Sequence, residues 1–241
     1  MIAAPSLPVF MLALRTALGG RRVFALLLLN LIPVIAALVG AAGEASHAVL
    51  YARVVGNIVI PIQVALVALA LTGATISDER DEATILYLTQ TPIPRMAIVG
   101  AKLGAIAVGT ATLTLPGALA GALLVSGRGG GAILMTLAAV WLAALAYAGL
   151  FTWMALRLRR AIVTGLLYVV IWEGSIASFA ASADRLSVSA YARRIAKAAE
   201  PDFAWRTAAP TGVAVAVIAL LAFTLGGLWL GTRRLERMEL P

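Results

Sequence analysis

The chain has 241 residues, 62% of them hydrophobic, with a mean hydropathy of +0.98 and a formal charge of +8. Soluble domains are roughly 45–50% apolar, and no polar segment here is long enough to build a soluble core, so lipid is the solvent this sequence requires. It holds no cysteine and one histidine, His47. That excludes disulfides, thiolate metal centres and multi-histidine sites, and the basic excess reads as residues flanking membrane spans rather than a nucleic-acid surface.

Ser6 to Gly20 places Leu7, Phe10, Met11, Leu14 and Leu18 at helical spacing, with Arg15 among them. The pattern suits a helix lying in the membrane interface, or else the start of the span that follows. A spanning helix needs roughly 20 apolar residues, and six runs qualify, at about 23–42, 55–76, 99–125, 132–156, 161–180 and 210–232. Arg21-Arg22 before the first run also fits the opening of a secretory signal. The run is long and starts far from Met1, so we read it as a retained span.

Between the second and third runs lies a charged island. Four of the eleven acidic residues, Asp78, Glu79, Asp81 and Glu82, fall within five positions around Arg80. Ser77 is placed to cap a helix, the acids would then favour its first turns, and Ile85, Leu86 and Leu88 would form an apolar patch further on. Pro92 and Pro94 end the pattern, giving a helix over about 77–91, followed by Arg95 and Lys102. A plain solvated connector is the blander reading. The apolar patch argues against it, because no other soluble part of the chain can cover it.

Between the fifth and sixth runs, residues 187–200 read as a basic amphipathic helix stopped by Pro201. It would rest on lipid headgroups or act as a gate. Six spans put both termini on one side. With that side cytoplasmic, Arg15, Arg21, Arg22, Arg80, Arg95, Lys102, Arg157, Arg159, Arg160, Arg233, Arg234 and Arg237 lie inside, twelve of nineteen basic residues. Arg53, Arg128, Arg185, Arg193, Arg194, Lys197 and Arg206 lie outside. The short loops carry the orientation signal, so both ends are expected in the cytoplasm.

Within the spans, Glu173 is an acid in an apolar run, which marks it as a candidate gate or ion site. The competing reading is that the span ends early and Glu173 caps a helix. Gln63, Thr110 and Thr114 are candidate pathway residues, although such groups more commonly hydrogen-bond between helices. Gly100/Gly104, Gly117/Gly121 and Gly227/Gly231 are small-residue pairs that allow close helix approach. Pro33, Pro61 and Pro116 are positioned to kink their helices.

The island, with acid-Arg-acid-acid-Ala83-Thr84-Ile85-Leu86-Tyr87-Leu88, then Thr91-Pro-Ile-Pro-Arg95 and Gly100-Ala-Lys102, resembles the first cytoplasmic loop of ABC transporter permeases of the type 2 exporter class. Ala83 and Pro94 depart from the glycine and serine usual there. Trp172-Glu173-Gly174, Arg185-Leu-Ser187 and Tyr191 resemble a subset of prokaryotic members, and the six-span layout fits too. The resemblance implies an all-α polytopic permease subunit in a prokaryotic inner membrane. It implies a coupling helix that docks on a separate ATP-binding subunit through Asp78, Glu79, Arg80, Asp81, Glu82, Thr84, Ile85, Leu86, Leu88 and Arg95. Two ATP-binding subunits would hold ATP and Mg, and two permease protomers, identical or sisters, would pair. The chain itself carries no phosphate-binding loop of the Gly-x-x-x-x-Gly-Lys-Ser/Thr type, so neither a catalytic residue nor a cofactor site is expected in it. The rival readings are an ion-coupled carrier using Glu173 and a membrane scaffold or sensor subunit.

Overall fold

A computed structural model describes residues 7–43, 46–81, 93–124, 127, 129–176, 186–201 and 211–237, with the side chains of Arg80, Asp81, Ser175 and Ile176 left undescribed. The described residues are mostly helical, with no strand among them. Helix α1 covers Leu7–Ala17. α2 (Arg21–Leu29) and α3 (Leu31–Ala41) are two halves of one apolar run, broken at Asn30. α4 is the long run His47–Ser77, continued directly by Asp78–Asp81. α5 is Arg95–Leu124 and α6 is Gly130–Arg157. α7, Ala161–Leu167, is prolonged by a wider π-type winding over Tyr168–Ile176. α8 is Val188–Ala196 and α9 is Val213–Glu236.

Five of these runs are long and apolar enough to cross a membrane: Arg21–Ala41, α4, α5, α6 and α9. The sixth predicted span, 161–180, is described only to residue 176 and is shorter. The five expected ranges are otherwise recovered with shifted ends, the largest at α4, which starts at His47 rather than near residue 55. The chain alternates between two ends of the bundle. The basic end carries Arg21, Asp78, Arg95, Arg157 and Arg234, and the opposite end carries His47, Leu124, Gly130, Ser187 and Val213.

In lipid there is no hydrophobic drive between helices, so close packing of small residues and interhelical hydrogen bonds hold them. The core shows this. Ala139, Ala143, Ala144, Ala146 and Ala148 of α6 are buried. Where α6 crosses α9 the backbones touch: a Cβ on Gly227 would lie 2.2 Å from the Gly149 carbonyl oxygen, and one on Gly149 would lie 2.8 Å from the Thr224 Cα. Gly117 and Gly121 of α5 admit Gln63 and Val55 of α4 in the same way. Tyr147 stacks on Phe151 with ring centroids 5.8 Å apart, and Phe151 meets Tyr168 edge-on at 6.2 Å.

α1 is a separate helix and not a frayed start of the first span. Gly20, at φ +81°, turns the chain before α2. α1 buries Val9, Ala13 and Ala17, with Phe10 against Gly104 of α5, while Leu7, Met11 and Leu12 stay exposed. α8 buries Val188, Ser189, Ala192, Ile195 and Ala196, and packs on α6 and α9. Its apolar face is therefore spent on the bundle.

Candidate functional site

The charged island begins differently from its sequence pattern. Ser77 does not cap a new helix. It is buried inside a continuous helical run from His47 to Asp81, and its hydroxyl has no partner among the described residues. Asp78 and Glu79 thus gain nothing from a helix start. Cations from two other helices neutralise them instead. Arg22 of α2 pairs with Asp78 at 2.8 Å. Lys102 of α5 pairs with Glu79 and donates to the Thr75 carbonyl at 2.8 Å. The Lys102 side chain is only 4% exposed and Glu79 is 19% exposed, so this ion pair is largely withdrawn from water. Arg95 donates from Nη1 to the Leu235 carbonyl at 2.9 Å, placing a cation at the carboxyl end of α9, where the helix dipole favours one. Arg80 and Asp81 extend the helical run. Glu82, Thr84, Ile85, Leu86 and Leu88 lie outside the described residues, as does the remainder of the expected 77–91 helix.

At the opposite end, Glu173 is 2% exposed and acts as a cap. Its Oε1 accepts from the Tyr168 hydroxyl at 2.9 Å, the Val188 N–H at 3.0 Å and the Ser189 N–H at 3.4 Å. Its Oε2 accepts from the Ser187 hydroxyl at 2.6 Å and the Ser189 hydroxyl at 2.5 Å. A carboxylate at the first N–H groups of a helix is favoured by both hydrogen bonding and the dipole. Ser187 adds a second cap by accepting from the Ala190 N–H at 3.1 Å. The other end of α8 is held by the Tyr51 hydroxyl, which donates to the Ala196 carbonyl at 3.3 Å and shares a 2.8 Å hydrogen bond with Thr136. α8 is thus fastened at both ends to α4, α6 and α7.

In the middle of the bundle, Asn30 sits at the α2–α3 break. Its Nδ2 donates to the Leu113 carbonyl at 2.7 Å and the Leu26 carbonyl at 3.2 Å. Its Oδ1 accepts from Gln63 Nε2 at 2.5 Å and the Gly117 N–H at 3.3 Å. Gln63 therefore joins helices, and both residues are buried. Thr114 donates back to the Thr110 carbonyl of its own helix at 2.9 Å, while the buried Thr110 hydroxyl has no partner among the described residues. Gln63 packs on Gly117, one turn beyond Thr114 on α5, whereas Glu173 caps α8 at the opposite end, so the four candidate pathway residues do not share one site. The sequence reading missed the burial of Lys102 and the role of Asn30. Both had a signal, a polar residue inside an apolar run, but their partners are remote in sequence.

No protein-family model matches this chain, and no curated protein matches it.

Proposed function

We propose that this chain is the membrane-spanning permease subunit of an ATP-driven ABC exporter, with the basic end in the cytoplasm and the island as its docking point for a separate ATP-binding subunit. The observation that carries the reading is how the island leaves the membrane. It grows from the end of α4 without a break and is tied to α2 through Arg22–Asp78 and to α5 through Lys102–Glu79. A partner that pulled on such a helix would act on three membrane helices at once, as a rigid lever requires. Acidic residues followed by an apolar patch offer that partner both charge complementarity and an anchor. The loop sequence supplies the resemblance, and the twelve of nineteen basic residues at that end support a cytoplasmic placement. Six spans, paired protomers and a prokaryotic inner membrane belong to the same proposal.

The ion-coupled alternative rests on Glu173. That carboxylate already accepts five hydrogen bonds from its surroundings, an arrangement that suits a fixed cap better than a site that loads and unloads an ion.

The test is affinity purification of the tagged chain in mild detergent, with mass spectrometry of what accompanies it. The expected result is a stoichiometric ATP-binding subunit, lost when residues 82–88 are replaced by a Gly/Ser linker. Glu82→Ala should uncouple ATP hydrolysis from transport. Recovery of the chain alone in every detergent would overturn the proposal.

A further inference from the structure

At the basic end a recess of about 520 Å³ opens between the α1–α2 turn and the start of the island, lined by Thr16, Gly19, Gly20, Arg21, Arg22, Ala74, Asp78 and Glu79. Its charges do not cancel. Asp78 is neutralised by Arg22, and Glu79 is neutralised from behind by Lys102. Arg21 is exposed and has no acidic partner among the described residues, so with Lys102 counted against Glu79 the described residues leave one positive charge at the recess. The wall facing it adds donors, because α2 starts at Gly20 with no side-chain cap among the described residues, and the first N–H groups of a helix have no intrahelical partner. A Cβ on Gly20 would meet nothing within 4 Å, so space remains directly in front of them.

The helix that carries Arg21 is also unusual. α2 has no buried residue, and Phe24 and Leu28 are 70% and 62% exposed. Arg21, Phe24 and Leu28 share one face of α2 by helical spacing, so an apolar flank runs along the helix from the recess. The two features together match one class of molecule, with a singly anionic phosphodiester above and acyl chains below. The recess volume lies in the range of small-ligand sites, and one excess positive charge matches a headgroup of net charge −1 better than a zwitterion, whose own ammonium would leave Arg21 uncompensated.

We infer that this recess is a binding site for the headgroup of an anionic phospholipid, whose phosphate sits between Arg21 and the amino end of α2 and whose chains lie along the Phe24–Leu28 flank. The site does not depend on the transport reading.

Native mass spectrometry of the purified full chain, offered phosphatidylglycerol and phosphatidylethanolamine in equal amounts, tests this. One retained phosphatidylglycerol per chain is expected, favoured over phosphatidylethanolamine. An interfacial arginine contributes about fivefold in affinity, so Arg21→Gln should lower retention by about that factor. Arg237→Gln removes the same charge from the same end, at an exposed residue that does not line the recess, and should leave retention unchanged. Excess glycerol 1-phosphate should not displace the lipid. Equal losses in both variants would mean diffuse attraction to the basic end and would overturn the site. Equal retention of the two lipids, no adduct, or displacement by glycerol 1-phosphate would overturn it as well.

Discussion

Glu79→Gln, Lys102→Met and the double variant form a cycle whose outcome follows from the geometry of the pair. Removing one member of a buried ion pair costs about 3–5 kcal/mol, because the other charge is left in a poorly solvated place. The two members differ here. Lys102 is 4% exposed and, without Glu79, keeps only the Thr75 carbonyl. Glu79 is 19% exposed and can turn toward water. We therefore expect Glu79→Gln to destabilise by about 3 kcal/mol and Lys102→Met by about 1 kcal/mol. The double variant should resemble Lys102→Met, since an apolar side chain of similar length replaces the buried charge at little cost.

Thermal unfolding in detergent, followed by loss of the monodisperse species, provides the assay. At about 2–4 °C per kcal/mol for a chain of this size, Glu79→Gln should lower the Tm by roughly 6–12 °C. Adding Lys102→Met to it should recover most of that loss. Equal effects of the two single variants, or additive effects in the double, would show that the pair is not withdrawn from water as described. For the same reason Glu79 is a poor probe of docking, because its loss perturbs the bundle as well as the surface.

Gly227→Ala should destabilise by about 1–3 kcal/mol or more, since its Cβ would strike the Gly149 carbonyl, whereas Gly226→Ala, in open space, should be neutral; paired unfolding curves decide. Glu173→Gln removes a charged acceptor of hydrogen bonds that each contribute about 1.5–3 kcal/mol, so hydrogen exchange over residues 187–196 should rise while exchange in α5 stays unchanged. Asn30→Leu removes the amide between α2, α4 and α5 and should cost about 1–2 kcal/mol, with Gln63→Leu adding little to it; additive losses would show that the two side chains act independently.

Hydropathy marked the spans well because lipid imposes a simple length rule, and it failed where exposure within a helix varies. Arg53 and Asn57 lower the apparent hydropathy of the first turns of α4, yet both point outward, while Tyr51, Val54 and Val55 are buried. The helix therefore starts well before its apolar run. Ser77 and the following acids look like a helix start because a hydroxyl and carboxylates favour that position locally. Lys102 and Arg22 supply the compensation from elsewhere, and the helix continues through. Glu173 illustrates the same limit. Its two readings, ion site and cap, differ only in what faces the carboxylate, and the N–H groups that do so belong to Val188 and Ser189, beyond the reach of any spacing argument.

The polar joints also explain why the island stands where it does. Three of them lie at different depths: Thr75 with Lys102 and Glu79 at the basic end, Gln63 with Asn30 in the middle, and Tyr51 with Thr136 and Ala196 at the far end. Each joins a different set of neighbours, but α4 contributes to all three. It is also the most buried of the five runs long and apolar enough to cross a membrane, whereas Arg21–Ala41 is the least buried. With small apolar side chains elsewhere, few other contacts can fix the axial register of a helix in lipid. A single helix pinned over a length on the order of 30 Å therefore fixes the register of the neighbours it is joined to, α2, α5, α6 and α8. Asp78–Asp81 extends that helix, so a load applied there bears on the element to which most of the bundle is already joined.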